Sequence, residues 1–567
     1  METLERQEDY EIRQKIYKKV SDIINIKLDE YFDKYRDNIG FLIYYPLAHI
    51  EECFFGPDIQ KHRAAAFDRN AMEWIIKKML ERVAGLTKGK FTFDFDQYDI
   101  FKNNVFDLKK LYLNYYHNEN VKMVRGLNKV QIVETEDTKY KILVPRIMDA
   151  YSLSDIYFNG EDNEKLMEEE CIIKSKTDEY LLEKYDYREN IINFSLKKLK
   201  ELENQIKYLD TMIDDKLYEL CLNNVIIDVD KLGKSFSSNV FPSKNELSRI
   251  FAFLYYLSKV TQYKCSFYDV QHKKIEDKYI IEYDYEYLIK KISKYTKFNY
   301  DTVKNCIDYF SMKPNLESGF NEFPLIHVGN KILFIPSSFI LNDLQFSIVN
   351  GHYDKKDEGI KIVERDKTVS QSVVDKISNK CKLYSNIICV SNRDYHENKV
   401  KYLGKDMQSD IDVGLYDTLS NTILIIECKW KENVYLKYDN YVNIEGAVNG
   451  IFRKQLGKHE AFIKLSDKNI DFIFEDNKEV INRKGEPDIY YIFVDKRIQY
   501  HYDGKHALSE FMFLKLLDIY KKDDTLELDK LVDEINNLKT EIQYIEPPQL
   551  SILRLDDGKE IINSIFI

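Results

Sequence analysis

The run Thr422-Ile423-Leu424-Ile425-Ile426-Glu427-Cys428-Lys429-Trp430 constrains this chain more than any other stretch: consecutive aliphatic residues stop abruptly at an acid and a lysine. Strand side chains alternate, so Glu427 and Lys429 share one face while Ile426 and Cys428 point to the other. An acid and an ammonium placed there are costly to bury unless they meet a metal, a counter-charge or water. Just upstream, Ser409-Asp410-Ile411-Asp412-Val413-Gly414-Leu415-Tyr416 reads as a second strand, joined to the first by the polar turn Asp417-Thr418-Leu419-Ser420-Asn421. Asp410 and Asp412 share a face of it. The hairpin therefore offers two carboxylates on neighbouring strands, hard oxygen ligands for a magnesium ion, with the Cys428 carbonyl as a further one.

The surroundings of this hairpin suit an α/β module. From a boundary near Gly351 the pattern predicts a helix over about 359–380, strands over 386–390, 408–416 and 422–430, a helix over 445–465 and a strand over 489–494. Upstream, residues 5–90 carry mostly helical periodicity, and 129–133 with 140–145 read as a small β-hairpin. The stretch 161–225, dense in Glu, Lys, Leu and Ile, reads as an exposed helical pair or short coiled coil, a candidate spacer or oligomerisation arm. Helical periodicity returns over 245–310. The expected class is a multidomain α+β protein: a helix-rich N-terminal half with a small β-hairpin, then a C-terminal core with a mixed sheet flanked by helices. The expected divisions are 1–160, 161–230, 231–350, 351–510 and a helical extension with a short strand over 511–567.

Composition excludes several classes. With 19 glycines and 10 prolines in 567 residues, collagen-like, low-complexity and loop-dominated architectures are disfavoured. The net charge of −12 rules out a global positive field, so a polyanion partner must meet a local patch. Residues 398–464 are less acidic than the rest, with ten basic against nine acidic side chains. The eight cysteines form no CxxC pair, which fits reduced thiols rather than a zinc ribbon or a disulfide scaffold. No secretory h-region and no apolar run long enough to span a bilayer is present, so a cytoplasmic protein without membrane contact is expected. There is no GxxxxGK[ST], GxGxxG or HExxH. His396 and His459 lie near the hairpin in sequence, and each is expected to be a surface or packing residue.

Asp412, followed by Glu427-Cys428-Lys429 at the end of a hydrophobic strand, resembles the active-site signature of the PD-(D/E)xK, or restriction-endonuclease-like, nuclease superfamily. Ile411 stands where the name of the motif has proline. Glu276-Asp277-Lys278 also satisfies the three-residue pattern, but no apolar strand precedes it. The resemblance covers roughly 351–494 and implies a metal-dependent endonuclease. By it, Asp412, Glu427, the Cys428 carbonyl and Glu364 would hold Mg2+ or Mn2+; Lys429 would serve the attacking water, and Gln455 would assist from the following helix. Lys431, Arg453, Lys454 and Lys458 would meet the nucleic acid, expected to be DNA. The large N-terminal half would then dock a partner, bridge copies of the chain, or sense foreign DNA in restriction or anti-phage defence. The alternative is a binding or scaffold protein that uses a nuclease-like core without catalysis.

Overall fold

A computed structural model describes residues 2–55, 62–83, 91–121, 131–134, 139–148, 168–185, 192–209, 211–230, 232, 237–270, 280–313, 319–342, 344, 347–348, 362–363, 365–429, 450–475, 477–495, 500–502, 505–537, 541–545, 549–554 and 560–564. The chain is α+β, with a helix-rich N-terminal half and a C-terminal mixed sheet flanked by helices. Glu364, Lys431 and the 276–278 stretch lie outside the described residues.

The N-terminal half has one hydrophobic core running from Val20 to Ile348. Its centre is the helix Lys244–Val270, whose apolar run from Ile250 to Leu257 is buried except at Tyr255. The charged helices Glu168–Lys184, Ile192–Lys207 and Asp215–Asp230 do not stand out as an exposed pair. Leu181, Tyr185, Leu199, Leu202, Leu217 and Leu222 sink into the same core, and among the described side chains the charged ones are exposed or half-buried. Tyr185, Gln205 and Tyr256 tie them together inside: Gln205 Nε2 donates to the Tyr185 hydroxyl at 2.8 Å and the Tyr256 hydroxyl donates to Gln205 Oε1 at 2.6 Å. The small hairpin forms over Gln131–Glu134 and Lys139–Met148. Strands from the chain's C-terminal end, Glu541–Ile545 and Glu560–Ser564, pair with its second strand.

In the C-terminal core we label helix α1 (Arg365–Cys381), strands β1 (Ile387–Tyr402), β2 (Lys405–Asp417) and β3 (Thr422–Lys429), helices α2 (Gly457–Leu465), α3 (Asp467–Ile473) and α4 (Lys478–Ile481), strands β4 (Asp488–Asp495), β5 (Tyr500–Tyr502) and β6 (Lys505–Ser509), and helices α5 (Glu510–Ile519) and α6 (Leu528–Asn537). The six-stranded sheet runs β5-β6-β4-β3-β2-β1. β1, β2 and β3 are antiparallel neighbours, whereas β4 is parallel to β3 and β6 to β4. One face carries Val413, Leu415, Leu424, Ile426 and Cys428 against α1, α5 and α6. The other carries Ile411, Ile423, Ile425 and Phe493 against α2, α3 and α4. Cover on both faces is why β3 is an unbroken aliphatic run rather than an alternating one.

β1 is far longer than the expected 386–390. Residues 391–402 are mostly polar and give no alternation to read, and they are strand only because they pair with β2. A tight turn through Leu403 (φ 49°) and Gly404 (φ 79°) closes that pairing, and both residues take the left-handed conformation that two-residue hairpins require.

Candidate active site

β2 and β3 deliver the ionic residues to the centre of the sheet. Their register sets Val413 opposite Ile426, so Asp412 and Glu427 follow one step further along two paired strands. The pleat of β2 is disturbed there: Ile411 packs on the α2 face, while Val413, two residues on, packs on the α1 face. By the same register the position opposite Asp412 on β1 is Asn392, whose φ is 52°. Local irregularities of this kind re-aim a side chain, and here they turn the Asp412 carboxylate to the end of β3. Its Oδ2 accepts a hydrogen bond from the Cys428 backbone N–H at 2.7 Å.

Asp412, Glu427 and Lys429 converge. The Lys429 ammonium stands 2.6 Å from Glu427 Oε1 and 3.6 Å from Asp412 Oδ2. Both carboxylates are buried, and the lysine is half-buried. The Cys428 side chain lies in the core on the opposite face, as alternation requires, so only its backbone faces the site.

His459, which sequence reasoning set aside as a surface or packing residue, belongs to this cluster. It is fully buried on α2, with Nε2 3.2 Å from Glu427 Oε2 and Nδ1 2.9 Å from the Tyr395 hydroxyl on β1. An ionised carboxylate only accepts, so Nε2 carries the proton donated to Glu427; in the neutral ring Nδ1 then accepts from Tyr395. Tyr395 is itself clamped by stacking on Phe462, with ring centroids 4.0 Å apart. Tyr395, His459 and Glu427 thus form a relay that fixes the Glu427 carboxylate from behind. One available signal was position, since His459 stands one helical turn beyond Gln455 on the helix already singled out.

Charge in this site is out of balance. Burial raises the pKa of Asp412 and the neighbouring Glu427 charge raises it further, to about 7, against the pull of Lys429 and the Cys428 N–H. At Glu427 burial also works against the charged form. There, however, the His459 hydrogen bond and the Lys429 charge prevail and hold its pKa below the usual value. Burial opposes the Lys429 charge too, yet Glu427 and Asp412 raise its pKa above the ordinary lysine value. Lys429 is therefore a fixed cation rather than a free amine. Two desolvated carboxylates share it, and a divalent ion is the natural complement to the remaining negative charge. The oxygen donors suit Mg2+ or Mn2+. Among the described residues no third Asp, Glu, His or Cys completes a compact ligand group with these two.

The remaining expected residues sit around this centre. Phe452–Leu456 forms a single π-helical turn leading into α2, an irregularity frequent at functional sites. Gln455 lies half-buried on it and, among the described residues, makes no hydrogen bond to Asp412, Glu427 or Lys429. Arg453 and Lys454 are exposed on the same turn. The Lys458 ammonium donates to the Gln408 carbonyl oxygen at 2.9 Å, which pins the start of α2 to β2. Compared with protein-family models, curated proteins and solved structures, the chain matches none.

Proposed function

We propose that the C-terminal core is a metal-dependent nuclease that hydrolyses phosphodiester bonds, with DNA as the substrate class favoured by the sequence resemblance. The observation that carries this reading is the pair of buried carboxylates, Asp412 and Glu427, sharing Lys429 where the end of β3 meets the middle of β2. A bare salt bridge does not call for a second desolvated acid beside the first. Asp412, Glu427 and the Cys428 carbonyl would hold Mg2+ or Mn2+, which would neutralise charge on a non-bridging phosphate oxygen and acidify water. Lys429, kept cationic by its two neighbours, orients the attacking water and stabilises charge developing on the phosphate. His459 and Tyr395 hold Glu427 in one orientation, and Arg453 and Lys454 present positive charge to the backbone of the strand being cut.

The test is incubation of the purified chain with plasmid, linear and single-stranded DNA and with RNA, in magnesium, manganese or EDTA. Metal-dependent cleavage that disappears in EDTA and in Lys429→Ala is expected. Absence of cleavage on every substrate, together with absence of magnesium binding by calorimetry, would transfer the site to a binding role.

A further inference from the structure

The N-terminal half holds a second cluster of metal-ligating side chains, and its chemistry differs from that of Asp412 and Glu427. His49 and Cys53 lie one turn apart on the helix Tyr45–Phe55, and Asp68 reaches them from the helix His62–Val83. His49 Nε2 is 3.8 Å from Cys53 Sγ and 3.7 Å from Asp68 Oδ2, and the three ligand atoms all lie within 4.8 Å of one another. The His49 and Asp68 side chains are 15% and 18% exposed, so the cluster is shielded but reachable.

Two bland readings fit poorly. At 3.7 Å His49 Nε2 and Asp68 Oδ2 are within ion-pair range but too far apart for a hydrogen bond, and 3.8 Å is at the long end for sulfur. A thiol–imidazole–carboxylate relay needs the thiol on one ring nitrogen and the acid on the other. Here both face Nε2, and Nδ1 is buried with no hydrogen-bond partner among the described residues. The separations do match a shared ion. Zinc bonds of about 2.0–2.3 Å in tetrahedral geometry set neighbouring ligand atoms about 3.3–3.6 Å apart, so the two separations from Nε2 need to contract by a few tenths of an ångström, and Cys53 Sγ and Asp68 Oδ2, which lie within 4.8 Å of each other, by up to about 1 Å. Lys109, on the helix Phe95–Val121, pairs with the other carboxylate oxygen of Asp68 and so holds Oδ2 toward the imidazole. Such outer partners orient ligands in metal sites.

We propose that His49 Nε2, Cys53 Sγ and Asp68 Oδ2 bind a zinc-class transition ion, with water in the fourth position. The ion joins two helices directly and a third through Lys109. Binding releases to solvent the Cys53 thiol proton and the proton on His49 Nε2, and involves no redox change. Thiolate and imidazole select against magnesium, so this site and the nuclease site fill independently.

The test uses the full-length chain, titrated with Co2+ and Zn2+ in magnesium-free buffer. Wild type and Asp412→Ala should both show tetrahedral cobalt absorption with a thiolate-to-cobalt charge-transfer band, displaced by Zn2+. Cys53→Ser should lose that band. Cys53→Ser and Asp68→Asn should each bind at least about tenfold more weakly. Independently of any variant, Zn2+ should protect Cys53 of the wild type from alkylation, read by peptide mass mapping. A wild-type spectrum without thiolate charge transfer, one unchanged in Cys53→Ser, or alkylation of Cys53 indifferent to Zn2+ would overturn the proposal.

Discussion

Buried acids occur in both halves of the molecule, and their surroundings differ. In the N-terminal half, Glu51 accepts from the Ser337 backbone N–H at 3.0 Å and from its hydroxyl at 2.7 Å, with the Arg69 charge nearby. Burial lifts its pKa to about 7, and everything else around it pulls the other way. At Asp412 the pKa rises as far, but Glu427, a second carboxylate, adds to the effect of burial. The first acid is surrounded by donors that belong to it; the second competes with its neighbour for one lysine. A carboxyl raised by burial alone fits a packed polar contact, whereas a like charge adding to burial, as at Asp412, is a repulsion that the proposed divalent ion would relieve.

If that contrast is real, mutations should separate activity from stability. Asp412→Ala and Lys429→Ala should each lower phosphodiester cleavage by about 10²–10³-fold or more, Asp412→Ala with little loss of stability and Lys429→Ala with some, since it leaves buried carboxylates without their cation, measured by initial rates and urea unfolding. Unchanged cleavage in both would erase the distinction. Glu51→Ala should do the reverse, destabilising the fold by about 1–3 kcal/mol for each donor left unpaired, with turnover unaltered at temperatures where the variant is folded. Between these extremes, His459→Gln removes the hold on Glu427 without touching the phosphate. It should cost about 10–100-fold in metal affinity or rate, seen as a raised magnesium requirement that excess metal partly rescues.

The pH dependence sharpens the comparison further. Asp412 loses its proton near its ordinary value of 3.8 in the unfolded chain and near 7 in the folded one. Between those values the folded state holds more protons, so this group's contribution declines as pH rises from about 4 to 7 and is flat above. In EDTA, Asp412→Asn should therefore gain on wild type over that window, by about 2–4 °C in melting temperature per kcal/mol, and magnesium should reverse the gain. A difference between the two proteins that is independent of pH would contradict the assigned charge imbalance. The smallest effect is expected for Arg453→Ala combined with Lys454→Ala. Binding should weaken alike on all sequences, and the salt slope should fall by about 2.

The hairpin was legible because its signals are local. A polar turn links two apolar strands, and alternation alone places Glu427 and Lys429 together and sends Cys428 to the other side. The small hairpin at 131–148 was visible for the same reason. β1 beyond Val390 was not, since its polar residues are extended only through pairing with β2. Nor was the packing of the charged helices over 168–230, where a surface rich in Glu and Lys hides a narrow buried stripe.

By itself, then, the sequence determined the pair of strands, the α+β class and the placing of the three ionic groups on one hairpin, because turn chemistry and side-chain alternation act over a few residues. Only the tertiary structure decided that His459 and Tyr395 stand behind Glu427, that two carboxylates are left with one lysine, and that His49, Cys53 and Asp68 meet across two helices. Those outcomes depend on which elements pack against which, and on how much water that packing excludes.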